Sequence, residues 1–290
     1  MQNTGWRTLV IDSFDQLRYH CGQLIVAGDD EIGFPVSQLR CVMAASSQGN
    51  ISIPLLNELM ENHVEVILCD RKYDPSCEIV PVSSHASAAG IVILQSKWTD
   101  ERRDSVWQKI VGLKIQNQIS LLRKLSKDIS PELEQCAAAV LPGDRTNREG
   151  QAARLYFSNL FGSEFIRHTD DDINAALNYG YTILRSAFTR LIVLHGYHTA
   201  LGIHHCSQYN RFNLACDIME PFRPFVDAVV WQNHDRSLDK EYRKEFIELL
   251  YRDCRFDGCQ TDIHSAMNAY VLDVLGAMRD EHRVIREVTF

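Results

Sequence analysis

Two histidines and two carboxylates lie close together in one short stretch of the sequence. Residues 202–224 read GIHHCSQYNRFNLACDIMEPFRP and include His204, His205, Asp217 and Glu220. Carboxylate oxygens suit a hard divalent cation, and a histidine nitrogen beside them favours a transition ion such as Mn²⁺ without excluding Mg²⁺. The spacing is also compatible with solvated helix carboxylates and with histidines of a loop or core. The residues alone leave both interpretations open.

A further acidic candidate, Glu149, lies in the segment GDRTNREGQAARLYFSNLF. A Pro-Gly turn at residues 142–143 and a cap at Thr146 or Asn147 predict a helix that carries Glu149 in its first turn. An acidic side chain at this position also matches the helix dipole. A structural role for Glu149 therefore competes with a catalytic one.

The elements that position these residues fall into two parts of different periodicity. From Thr8 to Val82 the apolar runs are short and β-branched, with turn residues between them, which is a strand pattern. Ser52 followed by IPLLNELMENH interrupts the strands with a capped short helix. We expect a small N-terminal β-sandwich-like domain over residues 1–85.

After the small, polar stretch SSHASAAG, which predicts a linker over residues 86–98, the period becomes helical. Thr99 and Ser130 are expected to cap helices, and Thr169 with the three aspartates after it predicts the start of a long one. Capping is favoured there over a cation site. The second domain, residues 99–290, is expected to be all-α, so that the fold class is α+β.

Charge and composition limit the possible functions. The net charge is −8, and residues 1–100 carry 6 Lys and Arg against 12 Asp and Glu, which leaves 24 against 26 for the rest. If DNA is bound, the second part is expected to bind it. The chain shows neither a long apolar run nor a signal-peptide pattern, so we expect a cytoplasmic protein that does not enter the membrane. Nine scattered cysteines favour reduced thiols, and the spacing of Cys254 and Cys259 does not favour a zinc site.

Three stretches together resemble a known family. They are NREGQAARLYF at residues 147–157, INAALNYGYTILRSAF at 173–188 and LGIHHCSQYNRFNLACDIMEPFRPFVD at 201–227. Their content and order are similar to those of the CRISPR-associated integrases of spacer acquisition, the Cas1 family. The stretches WRTLVID and LLNELMENHVEVILCD, and the length, resemble the branch that accompanies Cas9-type (type II) systems. The resemblance implies a β domain followed by a helical catalytic domain.

The resemblance also implies a metal site made of two carboxylates and a histidine. Glu149 matches the glutamate at the start of an arginine-rich helix, His205 the histidine of the LGxxH motif, and Glu220 the carboxylate before PFRP. Because His204 is adjacent, the assignment depends on a one-residue register, and we expect His205. Asp217 is expected either to orient a ligand or to be a solvated carboxylate.

The implied reaction is attack of the 3′ hydroxyl of a captured DNA end on a phosphodiester of the CRISPR repeat, with Mg²⁺ or Mn²⁺ stabilising the added negative charge. With water as the attacking group, the same site is an endonuclease. Arg145 and Arg148 flank the glutamate and either hold phosphates or form a solvated helix start. Arg223 either contacts DNA or pairs with a buried carboxylate.

The partners implied by the resemblance are double-stranded DNA, both as captured fragment and as leader-repeat, and a second copy of the chain in a homodimer formed by the β domain. A Cas2 dimer would bridge two such dimers, and Cas9 and an accessory DNA-end-binding protein are further expected partners. A catalytically silent DNA-binding assembly subunit and a metal phosphoesterase with other substrates remain alternatives.

Overall fold

The computed structural model describes residues 7–46, 48–71, 75–81 and 87–290, and the chain divides into one unit over residues 1–83 and another over residues 84–290. The α+β class is confirmed, with strands concentrated in the first unit and helices in the second. The expected domain boundary at residue 85 falls among residues 82–86, which lie outside the described part of the chain.

In the first unit, the described strands form two four-stranded sheets. The strands are β1 (Arg7–Ile11), β2 (Gln16–His20), β3 (Gln23–Ala27), β4 (Glu31–Pro35), β5 (Leu39–Ala44), β6 (Asn50–Ile51), β7 (Glu65–Cys69) and β8 (Pro75–Ile79). One sheet has the order β1-β5-β7-β8, in which only the β7–β8 pair is antiparallel. The other has the order β4-β3-β2-β6 and contains an antiparallel meander of β2, β3 and β4.

Both sheets and helix α1 (Ile53–Glu61) share one apolar core. Leu17 from one sheet, Val42 from the other and Leu55 from the helix are almost completely buried in it. The side chain of Ser52 accepts a hydrogen bond from the backbone amide of Leu55 and so caps α1, as the sequence predicts. Two sheets packed on a shared core form the β-sandwich-like arrangement that was expected.

The second unit is built mainly of helices. They are α2 (Ala88–Gln95), α3 (Asp100–Lys124), α4 (Pro131–Ala138), α5 (Arg148–Phe161), α6 (Asp172–Leu194), α7 (Asn213–Ile218), α8 (Arg223–Gln232), α9 (Lys240–Leu249) and α10 (Ile263–Ala277). Helix α3 packs against α4, α5 and α8, and α6 packs against α8, α9 and α10. These two long helices organise the second unit, because the shorter ones pack on them.

Capping side chains fix where the helices begin. The hydroxyl of Thr99 accepts a hydrogen bond of 3.3 Å from the backbone amide of Arg102 at the start of α3. The hydroxyl of Ser130 accepts one from the amide of Leu133 at the start of α4. At the start of α6, Asp171 accepts from the amide of Asn174 at 2.7 Å. The capping interpretation is thereby confirmed for Asp171.

The stretch expected to be a linker differs from that expectation, because it contains α2. Its sequence AAGIVILQ is small and aliphatic, which is compatible with a helix. The small polar residues before α2 led to a predicted linker that extends over the helix as well. Gln95 at the end of α2 is fully buried and donates to the carbonyl oxygens of His198 and Leu201 at 2.9 and 2.8 Å. Helix α2 is therefore tied to the loop that leads to the two histidines.

The all-α description of the second domain is incomplete, because three short antiparallel strands follow α9. They are β9 (Asp253–Phe256), β10 (Cys259–Asp262) and β11 (Val288–Thr289). Asp257 and Gly258 connect β9 and β10 with φ angles of 52° and 75°, the two positive values that a tight hairpin turn requires.

The nine cysteines all lie in the described residues and are free thiols, in agreement with the expectation from their scatter. Cys254 is buried in β9, whereas Cys259 is exposed in β10. Within the described residues, no helix combines the length and the apolar character that crossing a membrane requires.

Candidate metal centre

A buried carboxylate holds the histidine loop in place. Asp217 in α7 is completely buried, and its oxygens accept from the backbone amides of Ile203, His204 and His205 at 2.6, 2.9 and 3.1 Å. A Cβ atom at Gly202 would clash with the carbonyl oxygen of His205 and lie 2.8 Å from Oδ2 of Asp217. The alternative that Asp217 is a solvated carboxylate is therefore wrong, because the loop wraps around it.

The two adjacent histidines have different surroundings. His204 stacks on Trp107, with 4.4 Å between the ring centroids and 2° between the planes. His205 donates from Nδ1 to Oδ1 of Asp217 at 2.5 Å. This hydrogen bond raises the pKa of His205, against the opposing effect of burial. With Nδ1 held by a carboxylate, Nε2 is the nitrogen of His205 that can bind a cation, as in many metal-binding histidines.

Glu149 is positioned by a doubly capped helix start. Asn147 has a φ of 51°, and its side-chain oxygen accepts a hydrogen bond of 3.1 Å from the backbone amide of Gly150. Asp144 adds a second cap by accepting from the amides of Arg148 and Glu149 at 2.8 and 2.9 Å. Since these two side chains already satisfy the helix start, the Glu149 carboxylate is free to pair elsewhere.

Glu220 begins a short 3₁₀ turn, Glu220–Phe222, directly before α8. Its carboxylate is only 2% exposed, so the alternative of a solvated helix carboxylate is wrong for this residue as well. Oε1 forms an ion pair with Arg223, whose nearest guanidinium nitrogen lies 2.8 Å away. The turn is fastened to α3 by Asn117, which donates to the carbonyl oxygen of Pro221 at 2.8 Å.

Lys114 of α3 joins the two glutamates. Its Nζ lies 2.5 Å from Oε1 of Glu149 and 2.5 Å from Oε2 of Glu220. Burial opposes the charged form of Lys114, but the two carboxylates outweigh this effect and raise its pKa. Burial likewise opposes ionisation of Glu149, and the charge of Lys114 reverses this and lowers the pKa of that carboxyl. The three charges stabilise one another inside the protein.

The histidine lies within electrostatic range of both glutamates. The charges of Glu220 and Glu149 contribute to the raised pKa of His205, and His205 in turn helps to lower the pKa of Glu149. The tertiary structure therefore brings the three expected ligands into one neighbourhood, although they come from α5, the histidine loop and the turn before α8.

The donor set fits a divalent cation. Within the described residues, no group of three or more histidine, cysteine and carboxylate side chains is already arranged around a metal position. The Lys114 ammonium, however, stands between the two carboxylates as a stand-in cation. In the described part of the chain, Oε2 of Glu220 accepts no hydrogen bond, because its contact with Lys114 is an ion pair without hydrogen-bond geometry. Two anionic oxygens and an oriented imidazole suit Mg²⁺ or Mn²⁺.

The three arginines that the sequence singled out differ in their environment. Arg145 is 75% exposed and pairs with Asp104 at 3.0 Å, and Arg148 donates to Gln151. Arg223 instead binds the buried Glu220, and its guanidinium lies 4.7 Å from the centre of the Tyr181 ring. The structure thus favours pairing with a buried carboxylate for Arg223, one of its two expected roles.

Sequence reasoning missed Lys114, Asp144 and Gln95. The signal for Lys114 was present, because it lies seven residues after Trp107 and three after Val111, on the apolar face of α3. A lysine at a core position of an amphipathic helix needs a buried partner. Asp144 also had a local signal, because its partners are the amides of Arg148 and Glu149 at the nearby helix start. Gln95 had none, since its partners become neighbours only in the folded chain.

A comparison with family models and known proteins supports the sequence resemblance. Residues 9–248 match the family model described as CRISPR associated protein Cas1. The CRISPR-associated endonuclease Cas1 of Neisseria meningitidis is 35% identical over 227 residues, which cover 78% of this chain and 75% of the relative. The CRISPR-associated endonuclease Cas1 2 of Pyrobaculum aerophilum is 30% identical over 240 residues, 77% of this chain and 81% of that one.

Solved structures share the fold at low sequence identity. A casposase bound to its integration product aligns with a TM-score of 0.81 and 18% identity over 97% of this chain and 92% of the other. The Cas1 protein TM1797 of Thermotoga maritima aligns with a TM-score of 0.76 and 16% identity, covering 95% of this chain and 98% of that one. A chain of a Cas6-RT-Cas1–Cas2 complex aligns at 0.70 with 19% identity, over 98% of this chain and 36% of that one.

Proposed function

Because the chain belongs to the Cas1 family of CRISPR-associated proteins, we propose that it is a metal-dependent DNA endonuclease and integrase that inserts captured DNA fragments into a CRISPR array. The observation that carries this proposal is the meeting of Glu149, Glu220 and the Asp217-oriented His205 from three separate elements. A silent assembly subunit would have no use for two anionic oxygens and an oriented imidazole in one place.

In the proposed reaction the 3′ hydroxyl oxygen of the captured fragment attacks a phosphorus atom of the repeat. A new P–O bond forms, the bond to the original 3′ oxygen breaks, and the proton of the attacking hydroxyl passes to the departing oxygen through solvent or a basic group. The number of phosphodiesters is unchanged, so no nucleotide cofactor is needed. With water as the attacking group, the same exchange is hydrolysis.

Each residue has a distinct part in this proposal. Glu149 and Glu220 hold the cation through oxygen, and His205 holds it through Nε2, while Asp217 fixes the imidazole ring. The bound cation would stabilise the negative charge that builds up on the phosphorus oxygens and lower the pKa of the attacking hydroxyl. Arg223 pairs with Glu220 inside the protein and holds its carboxylate in place.

We infer that DNA approaches the site through a pocket beside His205. A pocket of about 380 Å³ adjoins His205 and is lined by Arg103 and Arg211, among other residues. Two guanidinium groups beside the histidine suit a phosphate backbone. We place the repeat or fragment strand in this pocket, with Arg145 and Arg148 as more distant phosphate contacts.

The remaining parts of the proposal concern partners. The casposase is described as bound to an integration product and another neighbour as part of a complex with Cas2, which supports DNA and Cas2 as partners here. Dimerisation through the β domain, association with a type II system and its Cas9, an accessory DNA-end-binding protein and a cytoplasmic location complete the proposal.

Strand transfer of a labelled short duplex into a plasmid with a leader and repeat tests the function. The reaction contains the Cas2 partner and Mg²⁺ or Mn²⁺, and compares wild type with Glu149→Ala and His205→Ala. The matched controls are Glu132→Ala, which removes an exposed glutamate, and His282→Ala, which removes a histidine that is 87% exposed. We expect joined product from wild type and both controls, and none from the two site variants.

The results separate the alternatives. Product that survives His205→Ala would transfer the ligand role to His204. If the wild type binds DNA but makes no product with either ion, the silent assembly subunit becomes the better description. Hydrolysis of small phosphoesters but not of DNA would favour a phosphoesterase with other substrates.

A further inference from the structure

Lys114 occupies the position where the proposed cation would bind. Its side chain is only 9% exposed, and its ammonium group is the same distance, 2.5 Å, from one oxygen of Glu149 and one oxygen of Glu220. The two oxygens are therefore no more than twice that distance apart. Mg²⁺ binds oxygen at about 2.0–2.1 Å, so a small movement of the two carboxylates would let them share an ion instead.

The ammonium and the ion exclude each other. Both need the same pair of oxygens, and a divalent cation placed between them would lie within van der Waals contact of Nζ. Two positive charges at that distance inside a protein repel each other strongly, because little water is present to screen them. A bound ion therefore requires Lys114 to move away.

The structure offers Lys114 a place to move to. Gln118 lies one turn further along α3, on the same face, and is 2% exposed. Among the residues that the structure describes, nothing donates a hydrogen bond to its Oε1. Lys114 and Gln118 both line a pocket of about 150 Å³, together with Tyr181 and Asp227. Arg167 and Arg223 line the same pocket, and both oxygens of Asp227 already accept hydrogen bonds from tyrosine hydroxyls, so the amide oxygen of Gln118 is the acceptor that the pocket offers a displaced ammonium.

We propose that Lys114 is a tethered competitor of the divalent cation: it neutralises Glu149 and Glu220 when no ion is bound, and it withdraws toward Gln118 when an ion binds. This inference rests on the proposed metal-dependent function. The consequence is that the protein alone binds the ion weakly, because every binding event must first separate Lys114 from both carboxylates.

The test is direct titration of the purified, DNA-free protein with Mn²⁺, followed by electron paramagnetic resonance of the free ion. Wild type is compared with Lys114→Met and Lys114→Gln, and with Lys109→Met, which removes an exposed lysine from the same helix. We expect both Lys114 variants to bind Mn²⁺ about tenfold more tightly or better, a change of about 1.4 kcal/mol or more, and Lys109→Met to match the wild type. Addition of Glu149→Gln to Lys114→Met should abolish the gain.

Thermal unfolding gives a second measurement that does not depend on activity. Without metal, the Lys114 variants should melt at a lower temperature than wild type, because two carboxylates lose their partner. Saturating Mn²⁺ should raise their melting temperature by more than it raises that of wild type. Of the two, Lys114→Gln keeps a polar group between the glutamates, and so provides a test if Lys114→Met does not fold.

The outcomes distinguish this inference from the proposed function. Equal or weaker Mn²⁺ binding by the Lys114 variants, with normal binding by wild type, overturns the competition and leaves the function intact. If neither the wild type nor any Lys114 variant binds Mn²⁺, and Mg²⁺ added at saturation does not raise the melting temperature of any of them, both the competition and the metal-dependent function are overturned.

Discussion

The imidazole of His205 donates a hydrogen bond of 2.5 Å to a carboxylate, that of Asp217, which is itself completely buried. The same carboxylate accepts hydrogen bonds from three backbone amides of the histidine loop. One side chain therefore sets both the path of the loop and the orientation of the imidazole ring. Because the hydrogen bond is at Nδ1, the orientation leaves Nε2 for the proposed cation. This contact favours His205 over His204 as the proposed ligand.

Replacement of Asp217 should disturb both stability and metal binding. In Asp217→Asn the side-chain nitrogen cannot accept hydrogen bonds from the amides of the loop. Each backbone amide that is left without an acceptor costs about 1–3 kcal/mol in the free energy of unfolding. We expect unfolding in urea to require correspondingly less denaturant, and Mn²⁺ binding to weaken about 10–100-fold. The control is Asp235→Asn, at a carboxylate that is 91% exposed. Unchanged Mn²⁺ affinity in a folded Asp217→Asn protein would show that the carboxylate does not orient the histidine.

The glycine of the LGxxH segment should not tolerate a methyl group. In Gly202→Ala the new Cβ would meet the backbone of His205 and the carboxylate of Asp217, neither of which can move aside cheaply. We expect a loss of about 1–3 kcal/mol in the free energy of unfolding, as for other overpacked sites. The matched control is Gly112→Ala in α3, where a Cβ meets nothing within 4 Å and should stabilise the helix by about 0.5–1 kcal/mol. Equal effects of the two substitutions would contradict the close approach.

The stability of the protein should depend on pH through a carboxyl group outside the proposed ligand set. Burial raises the pKa of Asp227 to about 6, although the hydroxyl groups of Tyr181 and Tyr156 donate to it at 2.5 and 2.8 Å and oppose the shift. The folded protein therefore holds this proton more tightly than the unfolded chain does. The protonated Asp227 makes its full contribution to the free energy of unfolding below pH 4, and this contribution is lost as the pH rises toward 6 and beyond.

Asp227→Asn isolates this effect, since the amide does not titrate and other groups titrate alike in both proteins. Between pH 4 and pH 7 the free energy of unfolding of wild type should fall, relative to the variant, by on the order of 3 kcal/mol. Urea unfolding at several pH values measures it. Curves that run parallel over the whole range would show that Asp227 has an ordinary pKa.

The arginines should separate into two classes in DNA binding. Loss of a phosphate contact reduces the dependence of affinity on salt concentration by about one unit in the logarithmic slope. We expect this result for Arg145→Gln, whose side chain is exposed. Arg223→Gln should instead lower thermal stability and leave the slope unchanged, because its guanidinium is committed to Glu220. A reduced slope for Arg223→Gln would restore its expected role in DNA contact.

The sequence by its local patterns predicted the strand-rich first part, the helical second part and the main helix starts, and it supplied the candidate ligands Glu149, His205 and Glu220. The apolar residues of strands repeat about every two residues and those of helices about every 3.6, so that long segments of the two are told apart from sequence. The caps at Ser52, Thr99 and Asp171 act on residues close in the chain, so they are also visible in the sequence. Even the hairpin that was missed is signalled locally, by Asp257 and Gly258, because its turn depends on two adjacent backbone angles.

The environment of each charged residue comes from long-range packing, which local sequence patterns do not encode. Glu149 and Glu220 are 71 positions apart in the sequence, and Lys114, which pairs with both, comes from a third element, α3. Whether such carboxylates are solvated or buried depends on which elements pack around them, and no local spacing encodes that. The role of Lys114, the burial of Asp217 and the pairing of Arg223 with Glu220 follow from long-range packing, because charges interact through space and not along the chain.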